Sequence, residues 1–163
     1  MESTESRMKQ TPTVKEKSLN PQATARSSQQ QVVSHDELDE RIVAAVQAAV
    51  EKKAIDVVVL DLREIASFTD YFVITSGTNE RQVQAISDEV YETLKKAGTA
   101  AARVEGYKTA EWILLDYGDF IVHVFEQKSR SFYDLERLWR ESTRVALPAE
   151  MTGEGPGSLR RES

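Results

Sequence analysis

The run Trp112-Ile113-Leu114-Leu115-Asp116-Tyr117-Gly118-Asp119-Phe120-Ile121-Val122-His123-Val124-Phe125 constrains the fold more than any other part of the chain. Two apolar stretches flank Tyr117-Gly118, and the glycine offers the positive φ that a tight reversal needs, so the segment reads as a β-hairpin. With those two residues as the loop, Asp116 faces Asp119, Leu114 faces Ile121 and Trp112 faces His123, all on one sheet face. Ile113, Leu115, Phe120 and Val122 take the other, which is the better face for a helix-covered core. Two carboxylates opposed across a turn repel each other, which predicts a solvated tip or a cationic partner. A bulge would shift the pairing by one residue and exchange the faces.

Elsewhere the periodicity changes. Ser34-His35-Asp36-Glu37 has the form of a capping box, and Leu38, Ile42, Val43, Val46, Ala49 and Val50 fall on one helical stripe. Ile55 to Leu62 and Tyr71 to Thr75 are β-branched runs expected to pair as strands. Ser76-Gly77-Thr78-Asn79 supplies turn and N-cap chemistry for a helix with Val83, Ile86, Val90 and Leu94 inward, ended by Gly98. Ala101 to Val104 is a further strand candidate. A last helix is expected over Ser131 to Arg144, with Phe132, Leu135, Leu138 and Trp139 inward. The order αββαβββα predicts an α/β fold: a mixed sheet of about five strands packed with helices.

A chain of 163 residues with 40% hydrophobic content supports one core with tails rather than two domains. Residues 1–34, rich in Ser, Thr and Gln, read as a disordered arm, 35–147 as the domain, and 148–163, with three glycines and Pro156, as a disordered tail. No stretch approaches the length of a membrane span, and the arm lacks the apolar core of a secretory signal. The absence of cysteine removes disulfides and thiolate chemistry. Residues 36–147 carry 21 acidic and 14 basic side chains, a net −7. That balance disfavours direct nucleic-acid wrapping and suits a basic protein partner.

Catalytic readings are weakly supported. His123 lies among apolar neighbours with no local partner and reads as a hydrogen-bonded sheet residue. Trp112 is either core filler or an interface anchor. Asp61, Asp70, Asp116 and Asp119 are not spaced as the paired carboxylates that two-metal phosphoryl chemistry needs. The Ser76-Gly77-Thr78 turn lacks the lysine and the glycines of a phosphate loop, so helix capping is the stronger reading. Phe132, Tyr133 and Trp139 are interleaved with Asp134 and Glu136, unlike a base-stacking platform.

Three segments together resemble the ribosomal silencing factor RsfS, or Iojap, family. They are Asp56 to Leu62, Phe68 to Val83, and Val104-Glu105-Gly106 running into Glu111 to Phe125. Phe132 to Trp139 extends the likeness, which covers about residues 36–142. The resemblance implies a bacterial or organellar ribosome-associated factor, with a fold related to nucleotidyl transferases but without their catalytic carboxylates, that is not an enzyme; no cofactor or metal is expected, and a cytoplasmic location is compatible with the cysteine-free composition. The resemblance further implies binding to the large ribosomal subunit through its fourteenth protein and obstruction of small-subunit joining, lowering translation when nutrients are scarce.

On this reading the hairpin face is the contact surface. Trp112 is its apolar anchor, Tyr117 a rim contact, and Asp70, Asp116, Asp119 and Glu105 are carboxylates for partner Lys or Arg. The competing classes are a divergent metal-dependent nucleotidyl transferase or hydrolase, and a homodimer formed through a self-complementary sheet surface.

Overall fold

The computed structural model describes residues 33–153. In chain order its elements are β1 (Val33–Ser34), a 3-10 turn (His35–Glu37), α1 (Glu40–Glu51), β2 (Ile55–Asp61), β3 (Tyr71–Gly77) and α2 (Glu80–Lys96). There follow β4 (Arg103–Glu105), β5 (Trp112–Asp116), β6 (Phe120–Glu126), α3 (Gln127–Tyr133), α4 (Leu135–Leu138), β7 (Thr143–Ala146) and a second 3-10 turn (Ala149–Met151). The strands form one mixed sheet in the order β1-β7-β2-β3-β6-β5-β4. Only β1–β7 and β3–β6 are parallel. The expected α/β architecture is present, with β1 and β7 added to the five strands read from sequence.

The hairpin forms, but two residues out of the expected register. Asp116 lies opposite Ile121, Leu114 opposite His123 and Trp112 opposite Phe125. The turn takes four residues rather than two: the Tyr117 amide donates to the Phe120 carbonyl, and Gly118 sits at φ 85. An even displacement leaves each side chain on its expected face. Asp116 and Asp119 are therefore not opposed, and each has a cationic partner, Arg103 and Arg41, as the proximity of two carboxylates predicts.

Alternation along these strands builds two unlike layers. Val57, Val59, Val73, Ile113, Leu115, Phe120, Val122 and Val124 face α1 and α2, which bring Ile42, Ala45, Val46, Ala49, Val83, Ile86, Val90 and Leu94 down onto them. Both helices start on side-chain caps, Asp39 accepting from the Arg41 amide and Asn79 from the Gln82 amide. Residues from the opposite side of the strands, Leu60, Phe72, Ile74, Ile121 and Phe125, form a second, smaller cluster with Leu62 and Leu135.

Two boundaries differ from expectation. The arm up to residue 32 and the tail from 154 lie outside the described residues, but Val33–Ser34 pairs with β7. Beyond Leu147 the chain stays folded as far as Gly153. Met151 is buried, the Val57 amide donates to the Thr152 carbonyl, and a Cβ on Gly153 would lie 2.3 Å from the Ala54 carbonyl oxygen.

The expected final helix is replaced by α3, α4 and β7. Asp134 adopts a left-handed conformation (φ 49, ψ 53) that ends α3 and starts α4, one that a short polar side chain tolerates better than most. The break turns Leu135 inward but leaves Phe132 and Leu138, expected inward, 80% and 72% exposed.

Candidate functional site

The second sheet face is covered by much less protein than the first. Among the described residues, only α3, α4 and the β2–β3 loop lie above it, and the result is a network of aromatic ring contacts with partly exposed members. Phe68 contacts Phe72 and Trp139 at ring separations of 6.1 and 5.8 Å, and Phe72 meets Trp139 at 5.6 Å. Phe72 also packs edge-on against His123 at 4.5 Å. Trp112 stacks on Phe125 at 4.9 Å and touches Tyr133 at 4.8 Å. Phe68 is 57% exposed, Trp112, Leu114 and Trp139 are half-buried, and Tyr133 is exposed. Exposed apolar surface of this kind, contiguous rather than scattered, marks an interaction site.

The cover is small because of how it is anchored. Arg130 on α3 donates through Nε and Nη2 to the Glu136 carboxylate, and through Nη1 to the Asp56 and Ile55 carbonyls and Ser76 Oγ. This network pins α3 and α4 over the start of β2 and the end of β3, leaving the β5 end of the face open. Because these donors are committed internally, the polar cleft lined by Arg130, Ser76 and Glu136 reads as structural rather than as an anion site.

The expected contact residues divide into three groups. Trp112, Asp116 and Glu105 lie on the open face, the last two through the β4–β5 pairing of Arg103 with Asp116 and Glu105 with Leu114. Asp70 and Asp119 meet at the hairpin turn, where the Asp70 amide donates to the Asp119 carbonyl and Thr69 Oγ1 to the Gly118 carbonyl, while the Asp119 carboxylate is held by Arg41 of α1, the helix on the opposite face. Tyr117 is not at the rim: it is 8% exposed, stacks on Phe120 and belongs to the helix-covered layer. Its hydroxyl has no hydrogen-bond partner among the described residues, and burial pushes its pKa up to about 12.

Most of these carboxylates already have partners. Asp116 receives the Gly118 amide at 2.8 Å and Arg103 at 3.2 Å, Arg103 also reaches Glu105 at 3.2 Å, and Asp119 receives Arg41 at 2.9 Å. Asp70 makes no ion pair among the described residues. Exposed pairs of this kind contribute about 0–1 kcal/mol, so a partner cation can displace them at small cost. Asp61 is committed differently: nearly buried, it holds Arg63 through three hydrogen bonds within its own turn.

His123 is 3% exposed. Its Nδ1 accepts the Trp112 indole N–H at 3.0 Å, while Nε2 is buried without a partner. Burial lowers its pKa to about 3, so the ring is neutral at ordinary pH. The turn before α2 is likewise used internally, because Gln82 Oε1 accepts from both the amide and the hydroxyl of Thr78. That supports helix capping. Among the described residues no three His, Asp or Glu side chains gather as a metal site, and no helix is long and apolar enough to cross a membrane.

Sequence reasoning did not assign Phe68, Phe72, Trp139, Phe132 or Leu138 to this face. A signal was present for part of it: Tyr133 falls about 100° around a helix from Phe132, outside the stripe of Phe132, Leu135, Leu138 and Trp139 read as inward.

Residues 35–161 match the family described as ribosomal silencing factor during starvation, RsfS. The chain is 42% identical over 108 residues to a ribosomal silencing factor RsfS of Halalkalibacterium halodurans, covering 66% of this chain and 92% of that protein. It is 32% identical over 92 residues to a mouse protein named for mitochondrial assembly of the ribosomal large subunit, covering 55% and 40% of the two chains. A crystal structure of a Chromobacterium violaceum protein superposes with a TM-score of 0.62 at 33% identity, covering 69% of this chain and 90% of that one.

Proposed function

Because the chain belongs to the RsfS family of ribosomal silencing factors, we propose that it docks its open sheet face on the large ribosomal subunit, through that subunit's fourteenth protein, and so keeps the small subunit from joining. The observation that carries this reading is the cluster of aromatic rings around Trp112, whose outer members the described helices leave partly exposed. Such a surface supplies the apolar centre of an interface, where large aromatic side chains dominate binding energy.

Charge supports the same partner. The folded part is acidic, ribosomal proteins are generally basic, and complementary fields speed encounter. Asp116 and Glu105 lie on the same sheet face as Trp112, and Asp70 and Asp119 flank the hairpin turn, where partner Lys or Arg can replace Arg103 and Arg41. Tyr117 acts from behind, as packing under the turn that presents Asp116 and Asp119. Silencing then needs no chemistry: a protein seated at the subunit interface occupies volume that the small subunit requires. The reading places the protein in the cytoplasm, acting when nutrients are scarce.

Co-sedimentation with purified large subunits, followed by addition of small subunits, tests this. The protein should travel with large subunits and reduce the yield of joined ribosomes in proportion to its occupancy. Failure to bind large subunits would overturn the proposal. Self-association that vanishes on dilution while large-subunit binding persists would leave the monomer as the docking species.

A further inference from the structure

His123 poses a physical question that docking alone does not answer. It sits in an apolar, aromatic layer between Phe72, Phe125 and Trp112. Its Nδ1 accepts from the Trp112 indole, which fixes the neutral tautomer with its proton on Nε2, and that N–H is buried with no acceptor among the described residues. An unpaired buried donor is unfavourable. Phenylalanine would fill a similar volume with no orphaned polar atom. What phenylalanine cannot provide is an acceptor for the indole.

The indole is the group that gains. Trp112 is half-exposed at the open end of the face, held by stacking on Phe125 and a tilted contact with Tyr133. Stacking restrains the ring plane but leaves the ring free to flip about its own attachment, which would turn the N–H edge outward. A hydrogen bond to a buried ring removes that alternative. With its only polar atom used internally, the indole offers hydrocarbon outward.

We infer that His123 is a positioning residue: by accepting the indole N–H it fixes Trp112 in one orientation, so that the docking partner meets a preorganised apolar anchor rather than a hydrogen-bond donor. The inference rests on the docking reading and adds to it. The matching partner surface is then apolar, or the aliphatic stem and cation of Lys or Arg lying against the indole face, and it needs no acceptor opposite Trp112. Preorganisation of this kind raises affinity by reducing the freedom lost on binding.

The test compares His123→Phe, which removes the acceptor and keeps a ring, with His123→Asn, whose side-chain oxygen can take the place of Nδ1. Two quantities are read on the full chain: the Trp112 indole N–H signal and its solvent exchange by ¹⁵N NMR, with Trp139 as internal reference, and the affinity for purified large subunits. In His123→Phe the Trp112 signal should move and exchange faster, and affinity should fall roughly tenfold. His123→Asn should restore both in large part. If His123→Phe does not fold, His123→Leu is judged on the same criteria.

An unchanged indole signal, or a changed signal with unchanged affinity, overturns the positioning role while leaving docking intact. Trp112→Ala separates the two readings. If it binds large subunits as well as the unaltered protein, the docking face itself is wrong and the positioning role falls with it.

Discussion

The face covered by α1 and α2 and the face bearing Trp112 are made from the same strands, through alternate residues of each. On the first, strand side chains from Val57 to Val124 cluster with residues of both helices, and Ala45, Ala49, Val83, Ile86 and Leu94 in that cluster have essentially no exposure. On the second, Phe72, Ile74, Ile121 and Phe125 are buried, yet the layer above them is itself half open: Trp112, Leu114 and Trp139 are part-buried, and Phe68, Phe132 and Leu138 exposed. One face is closed within the chain and carries stability. The other is closed only in its inner layer, and its outer layer has the composition of an interface core.

The sharpest way to break that contrast is to weaken the closed face. Phe120→Ala removes a fully buried ring and should cost about 3–5 kcal/mol, measured by denaturant unfolding. A loss below ~1 kcal/mol would mean that this layer does not hold the fold.

A second prediction concerns the inner layer of the open face, which must be dry if His123 is to stay neutral. Its pKa in the folded protein is about 3, against ~6.5 when unfolded. Below ~6.5 the unfolded chain takes up a proton that the folded chain refuses, so stability falls as pH drops toward 3. The slope should approach about 1.4 kcal/mol per pH unit between roughly pH 6 and 4.5, and His123→Phe should flatten it. Hydrogen bonds from Arg41 hold the Asp39 carboxyl below the usual range; burial pushes Asp61 up, but Arg63 outweighs it. Those two therefore add losses only below about pH 4. An unaltered slope in His123→Phe would show that the layer is wet.

The smallest effect belongs to the outer layer. Leu138→Ser, at a position 72% exposed, should change stability by less than about 0.5 kcal/mol while lowering affinity for large subunits. A large loss of stability would place Leu138 in the core and erase the distinction between the faces.

Much of this was legible in the sequence where period-2 alternation ran beside Gly118, and where helical stripes began at capping residues. The hairpin faces came out correctly although its register did not, because a displacement of two residues preserves the pleat. The C-terminal third was less legible. Phe132, Leu135 and Leu138 share a helical spacing that fits one buried stripe, and only the left-handed Asp134 and the Arg130–Glu136 anchor, a long-range contact with β2 and β3, decide that Leu135 alone is buried. Thr143–Ala146 was hidden for a related reason: its single buried side chain, Val145, shows no alternation over so short a strand. Of the expected contact residues, Trp112 and Asp116 lie on the sheet face that strand alternation gives them. Tyr117 was misplaced because the turn is longer than two residues and folds its ring under Phe120.

The central claim is that the Trp112 face, and no other exposed aromatic region, seats on the large subunit. The direct measurement is the affinity of Trp112→Ala and of Tyr107→Ala for purified large subunits, with Tyr107 serving as an exposed aromatic beside α2, where it donates to Asp88. Trp112→Ala should weaken binding by ~2 kcal/mol or more with the fold intact, while Tyr107→Ala binds like the unaltered protein. Equal affinities for all three proteins, or a loss confined to Tyr107→Ala, would contradict the account.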